Sequence, residues 1–299
     1  MTVLVAGATG WLGSDICLRL RARGIGVRAM ARKTSNPTRL DALRACGAEL
    51  VWGDLKDPAS LSEACRGADA VISTASATIS HQNGDSIESV DHIGQAALID
   101  AARAAGAGHF TLVSIPRRYA RESPLTRAKA AAERALVESG MPYTILAGNF
   151  FMEIWLSPML GFDAVNRRAV IFGEGTALIS WVSLHDVAEF AVRSHQTPGA
   201  HNQTLLVGGP EDLSPLEVVE IFEKATGAAI ERQFVPEEAL LAQLEATDNP
   251  LAETFTKLQL ECVHGCLMNT AETLRLMPVE LTSVQQYARG IAARQGAAA

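Results

Sequence analysis

The sequence predicts an α/β protein built on a doubly wound parallel sheet, with a smaller mixed α/β region towards the C-terminus. Three observations support this fold class. The chain opens on an apolar run, Thr2-Val3-Leu4-Val5-Ala6, that leads into Gly7-Ala8-Thr9-Gly10-Trp11-Leu12-Gly13. Strand-like runs and amphipathic helical stretches then alternate as far as Gly148, the spacing of repeated βαβ units and hence of a parallel sheet. With 299 residues, 48% of them hydrophobic, the chain can bury such a sheet on both faces.

The first turn carries the most chemistry. A buried parallel strand requires a continuous apolar run. A turn feeding a helix requires glycines where the backbone bends sharply and phosphate oxygens approach closely. Gly7, Gly10 and Gly13 stand at those positions. From Trp11 to Leu20 apolar residues recur three and four apart, so a helix follows whose free N–H groups and positive dipole end face the anion. The stretch reads as a dinucleotide pyrophosphate site, with contacts from Gly7, Thr9, Gly10, Trp11, Leu12 and Gly13.

Residues 26–33 form the expected second strand, whose end meets the adenosine ribose in such a fold. An NAD binder usually places a carboxylate there. Ala31, Arg32 and Lys33 instead supply a neutral residue and two cations, which favours a ribose 2′-phosphate and therefore NADP(H). A helix over 37–46, a strand over 48–54, a helix opened by Asp57 and Pro58, and a strand over 68–75 follow. Ligands bind at the carboxyl ends of such strands, which puts Asp54 and Leu55 on the adenine side and Ser73, Thr74 and Ala75 on the nicotinamide side.

A helical pattern over 87–105, closed by Gly106, leads to a fifth strand over 109–115 with Ser114 near its end. A helix over 124–140 carries Lys129 and stops at Gly140 and Pro142, and a sixth strand ends at Gly148. There the simple alternation breaks. Asn149, Phe150, Phe151, Met152 and Trp155 follow at the expected mouth of the site, and an apolar, aromatic lining suits a flat, weakly charged substrate such as a quinone or enone. Beyond lie a hairpin around Gly173-Glu174-Gly175, a helix over 185–195, a strand over 204–208 and a capped helix from Ser214. The expected division is a dinucleotide-binding domain over 1–150 and a smaller substrate-facing region over 151–299, interleaved with the sheet around 177–209.

Composition narrows the partners. A net charge of −7 without a basic block points away from nucleic acid, and no run of about eighteen apolar residues points to a membrane span. Five scattered cysteines (17, 46, 65, 262 and 266) and the absence of a leader pattern suit a reducing, cytoplasmic setting.

Several motifs together give the chain a family likeness. Gly7 to Gly13, Gly53-Asp54-Leu55, Ala101-Ala102-Arg103-Ala104-Ala105-Gly106, Tyr143-Thr144-Ile145-Leu146 and His185-Asp186-Val187-Ala188 occur in order. They resemble the NmrA-like, atypical branch of the short-chain dehydrogenase/reductase superfamily. The likeness covers most of the first 195 residues, and Gly208-Gly209-Pro210 and the run from Ser214 to Val218 resemble the opening of that family's C-terminal region. It implies an NAD(P)-binding Rossmann fold.

Most members of the wider superfamily carry Tyr-x-x-x-Lys, in which the tyrosine exchanges a proton with the substrate oxygen. Here Leu125 stands four residues before Lys129, Tyr119 stands ten before it, and Tyr143 falls inside the sixth strand. NmrA-like reductases similar to isoflavone and phenylcoumaran reductases also lack the tyrosine and keep a lysine. The resemblance therefore implies that Lys129 binds the nicotinamide ribose and assists proton transfer. Ser114 falls where the superfamily places its substrate-side serine, whose hydroxyl can donate to a developing oxyanion.

The expected function is NADPH-dependent reduction of a small apolar carbonyl, enone or quinone. A second reading is a redox sensor that binds NADP(H) without turnover and acts on a protein partner, as several relatives of the family do. A sugar-nucleotide epimerase ranks last, because it normally needs the missing tyrosine. No metal is expected: Cys262-Val263-His264-Gly265-Cys266 lacks the second ligand pair of a zinc site. His185-Asp186 has no Ser or Cys in a nucleophile-elbow context to make it hydrolytic.

Overall fold

The computed structural model describes residues 1–79, 82–116 and 121–298. Its first half lays down β1 (Thr2–Ala6), β2 (Gly26–Ala31), β3 (Glu49–Trp52), β4 (Ala70–Ser73), β5 (His109–Ser114) and β6 (Tyr143–Gly148). The chain then forms β7 (Phe162–Asp163), β8 (Arg168–Phe172) and β9 (Ile179–Ser180) before returning with β10 (Gln203–Val207) to the edge of the first sheet. That sheet is parallel throughout and has the order β10-β6-β5-β4-β1-β2-β3.

Strand alternation explains the two buried faces. Val3 and Val5 point into one core with the apolar stripes of α1 (Trp11–Ala22) and α2 (Pro37–Ala45). Leu4 and Ala6 point into the other, with α3 (Pro58–Cys65), α4 (Gln95–Ala104) and α5 (Pro124–Glu138). Because both faces are covered, the central strands β1 and β4 are almost wholly apolar, which is the signal the sequence displays. Successive connections run one way from β1 to β3 and the other way from β4 to β6. A crevice therefore opens between β1 and β4 at their carboxyl ends.

The second half adds α6 (Met152–Trp155) and then α7 (Leu184–Ser194), which packs on α1. Beyond β10 come β11 (Asp212–Leu213), α8 (Pro215–Thr226), β12 (Glu231–Val235), α9 (Glu237–Ala246), α10 (Pro250–His264), α11 (Ala271–Leu276) and α12 (Val284–Ala298). They enclose a third core around Phe162, Ile171, Trp181 and Phe222. Ser214 opens α8 with a capping box to Glu217, as the sequence predicts.

Two expectations are corrected. The helix predicted over 87–105 is divided: residues Ile87–Gly94 wind as a π-helix that runs into α4. Gly94 packs against the chain after β3 so closely that a Cβ would lie 2.7 Å from Leu55 Cβ. The π turns carry Asp91 into the interior, fully buried. π turns are rare and concentrate at functional sites.

The hairpin predicted around Gly173 does not form. Gly173 and Gly175 do turn the chain at positive φ (68° and 74°), but Gly173 N donates to Val235 O, β8 pairs with β7 and β12, and β9 pairs with β11. The donors and acceptors that a hairpin would use are taken by more distant strands.

Away from the crevice, three histidines gather where His109 opens β5. The His109 and His201 rings lie 4.6 Å apart. Both ring nitrogens of His195 are buried without a hydrogen-bond partner among the described residues. Burial, reinforced by repulsion from neighbouring imidazoles, pushes His109 down to about 3 and His195 down to about 4. Unfolding lets each ring take up a proton near pH 6.5, so the unfolded state binds more protons below that value and stability falls as pH drops from 6.5 towards 4. At pH 5 each ring should cost about 1–2 kcal/mol. His195→Leu is expected to flatten the acid limb of a pH series of urea unfolding curves while leaving neutral stability within about 1 kcal/mol. An unchanged acid limb would remove His195 from this account.

Candidate active site

One cavity of about 530 Å³ follows the carboxyl edge of the sheet. Gly7, Thr9, Gly10, Trp11, Leu12 and Gly13 form its middle wall. Gly7 adopts φ +82°, and a Cβ there would lie 2.6 Å from Thr74 Oγ1 and 2.9 Å from Ala75 N. A Cβ on Gly13 would lie 2.2 Å from Gly7 O. Only glycine lets α1 start this close to the turn. Unlike α2, which Asn36 caps, α1 has neither a side-chain cap at Gly10 nor an acidic residue in its first turn. Its N-terminal donors and dipole are thus uncompensated and face the cavity. The residues present fit a pyrophosphate.

The strand order gives the cavity two chemically different ends. On the β2 side lie Arg32, Ser35, Asn36, Arg39, Asp54, Leu55, Gln82 and Asp85. Of the two cations predicted there, Arg32 lines the cavity. Lys33 is exposed and off its wall, because the chain turns outward after β2. Arg39, on the first turn of α2, lines the cavity instead. Its signal was legible seven residues after Arg32, just behind the helix-starting Pro37.

On the β4–β6 side the wall contains Thr74, Ala75, Val90, Val113, Ser114, Leu125, Lys129, Phe151, Ile154 and Leu184. Lys129 is buried, with its ammonium 3.1 Å from Asp91 Oδ1. That contact is an ion pair rather than an aligned hydrogen bond, since Oδ1 has no hydrogen-bond partner among the described residues. Asp91 Oδ2 accepts from Ala77 N at 2.9 Å. Gln95, one turn further on, donates to Ala75 O and accepts from Ser73 Oγ. The π-helix and the start of α4 therefore hold both Lys129 and the chain after β4. Asp91 and Gln95 were visible as polar residues on an otherwise apolar helical face, four apart, but a lysine partner on another helix left no trace in the sequence.

Other predicted residues fall elsewhere. Ser73 is fully buried on its bond to Gln95 and lies off the cavity wall. Asn149 donates to Ser180 O and Cys266 O, joining β6 to the C-terminal region. Phe150, Met152 and Trp155 pack in the third core, and the Phe150 and Trp155 rings meet at a tilt of 58° with centroids 4.6 Å apart. Of the five residues after β6, Phe151 alone lines the cavity, and Ile154 joins it. The chain there enters a short helix, so only one face of it meets the site.

Ser114 lines the cavity, and its hydroxyl donates to the buried Glu133 at 2.5 Å, one turn beyond Lys129 on α5. Its proton is thus turned away from the site. Tyr119 lies outside the described residues. His185 pairs not with Asp186 but with Asp15, at 2.7 Å, while Asp186 accepts from Thr282. The hydrogen bond that His185 gives to Asp15 raises the His185 pKa. Cys262 and Cys266 are buried, and burial pushes both thiols up.

The NmrA-like family matches residues 1–287. The isoflavone reductase homolog IRL of Zea mays is 32% identical over 266 residues, covering 83% of this chain and 82% of that protein. A photosystem II assembly factor of Trieres chinensis is 32% identical over 241 residues, covering 79% and 72%. In fold, the chain is similar to an NADPH-dependent quinone oxidoreductase of Escherichia coli solved with NADPH. That likeness has a TM-score of 0.77, 21% identity, and coverage of 97% of this chain and 99% of that one. A glycine cradle under an uncapped helix, a lysine in place of the Tyr-x-x-x-Lys pair and the match across nearly the whole length agree: the chain belongs to the NmrA-like family.

Proposed function

We propose that this protein is an NADPH-dependent reductase acting on a small, flat, apolar acceptor, with carbonyls, enones and quinones as the substrate class. The observation that carries the reading is the two-ended cavity: cations at one end, an apolar wall with a single buried lysine at the other, and a glycine cradle between them. The relative from Zea mays, an isoflavone reductase homolog, supports it.

When bound, NADPH supplies the hydride. The protein's part is to bind, orient and polarise. The N–H groups opening α1 hold the pyrophosphate. Arg32 and Arg39 hold the 2′-phosphate, and Lys129 holds the nicotinamide ribose and brings positive charge towards the substrate oxygen. Val90, Val113, Leu125 and Phe151 exclude water from the reacting end.

A second reading keeps NADP(H) binding but not turnover, with a protein partner as the output. It is favoured by the engagement of Ser114 with Glu133 and by the assembly-factor relative. Five free thiols, and no helix among the described residues long and apolar enough to cross a membrane, suit the cytoplasmic setting of either reading.

Titration with NADPH and NADH, followed by nicotinamide absorbance with quinones, enones and ketones, tests both. The expected result is tighter binding of NADPH and steady oxidation by one acceptor class. Binding without oxidation across the panel would favour the sensor, and no nucleotide binding would overturn both.

A further inference from the structure

At the adenosine end of the cavity a carboxylate sits among the cations. Asp85 has a side chain only 3% exposed. Its two oxygens lie 2.9 and 2.7 Å from Arg32 Nη1, and Oδ1 is 2.5 Å from Lys56 Nζ. It arrives not from the end of β2, where a dinucleotide fold usually keeps its carboxylate, but from the connection after β4. The same connection accepts a hydrogen bond from Thr34 Oγ1 through Gln82 Oε1, at 2.5 Å. Burial raises the Asp85 carboxyl, and hydrogen bonds from Lys56 and Arg32 more than offset this, holding it below the usual carboxylate range. It is an anion at neutral pH.

We propose that Asp85 sets the balance between NADPH and NADH, as an internal anion that occupies the cations a 2′-phosphate needs. The inference rests on the reading of this cavity as an NADP(H) site. A 2′-phosphate arriving beside Arg32 meets a like charge and must share the guanidinium with it or displace it. The five donors of arginine permit sharing, so the phosphate is still accepted, but with less gain than an unopposed guanidinium would give. The 2′-hydroxyl of NADH meets no repulsion and can donate to the same carboxylate. Asp85 thus weakens discrimination that Arg32 and Arg39 provide.

The test is Asp85→Asn in the full chain, with dissociation constants for NADPH and NADH from fluorescence titration, a readout that does not depend on turnover. NADPH should bind about tenfold tighter and NADH about threefold weaker, the scale of one close charge removed from a half-screened site. In an Arg32→Ala background the same change should give a smaller gain for NADPH, since only the direct repulsion is then relieved and no guanidinium is freed, and Asp85→Glu should keep the wild-type ratio. Thermal melting of each variant reports folding separately. A ratio unchanged within about twofold, or NADPH bound more weakly by the asparagine variant, would overturn the inference and make Asp85 a support for Arg32. If the wild type binds neither nucleotide, the NADP(H) reading itself fails.

Discussion

Lys129→Met is expected to lower reductase turnover by about two to four orders of magnitude, the usual contribution of a positioned proton-handling or polarising group. The same change should destabilise the protein by about 3–5 kcal/mol, because it leaves Asp91 buried without its cation. The two effects can be separated. Asp91→Asn alone strands the ammonium in an apolar setting and should also be costly. The double variant Lys129→Met/Asp91→Asn removes both charges and should recover most of the lost stability without recovering turnover. Urea unfolding and steady-state rates on the four proteins give the cycle. Additive stability losses would show that the 3.1 Å contact carries no coupling, and wild-type turnover in the methionine variant would remove Lys129 from the mechanism.

Gly13→Ala should be nearly as damaging, and at a different step. Its Cβ would lie 2.2 Å from Gly7 O and 2.7 Å from Gly7 C, both backbone atoms that cannot swing aside. The start of α1 must back away from the turn, at a cost of about 3 kcal/mol, and the pyrophosphate donors move with it. NADPH affinity should fall by about a hundredfold or more, since several charge-assisted hydrogen bonds are lost together. Gly24→Ala is the control: it sits at φ +72° with nothing within 4 Å of its Cβ, so it should cost about 1 kcal/mol of backbone strain and leave nucleotide binding alone. Equal affinity in the two variants would mean that the glycine turn does not hold the cofactor.

These expectations rest on residues that differ in how far the sequence reveals them. Gly7 and Gly13 were legible because a backbone constraint restricts residue choice locally: a positive φ or a close approach admits only glycine, whatever lies elsewhere in the chain. The central strands β1 and β4 were legible for a similar reason, since burial on both faces writes a nearly uninterrupted apolar run into each. The cations at the β2 end of the cavity were half legible. Arg32 was read from its strand, but whether Lys33 or Arg39 shares the cavity depends on the direction in which the chain leaves β2.

The sequence alone thus determined the parallel sheet, its glycine turn, and the lysine that stands where a tyrosine pair usually operates. Tertiary structure alone decided what that lysine touches. Asp91 reaches it from a π-helical stretch 38 positions earlier in the chain, and Glu133 engages Ser114 across the gap between α5 and β5. It also decided that Phe150, Met152 and Trp155 pack on the third core, away from the cavity at the sheet's carboxyl edge. The physical reason is common to all of these. Local backbone geometry and burial periodicity leave their mark within a few residues, whereas pairing between buried side chains depends on how separate elements pack, and no short stretch of chain encodes that.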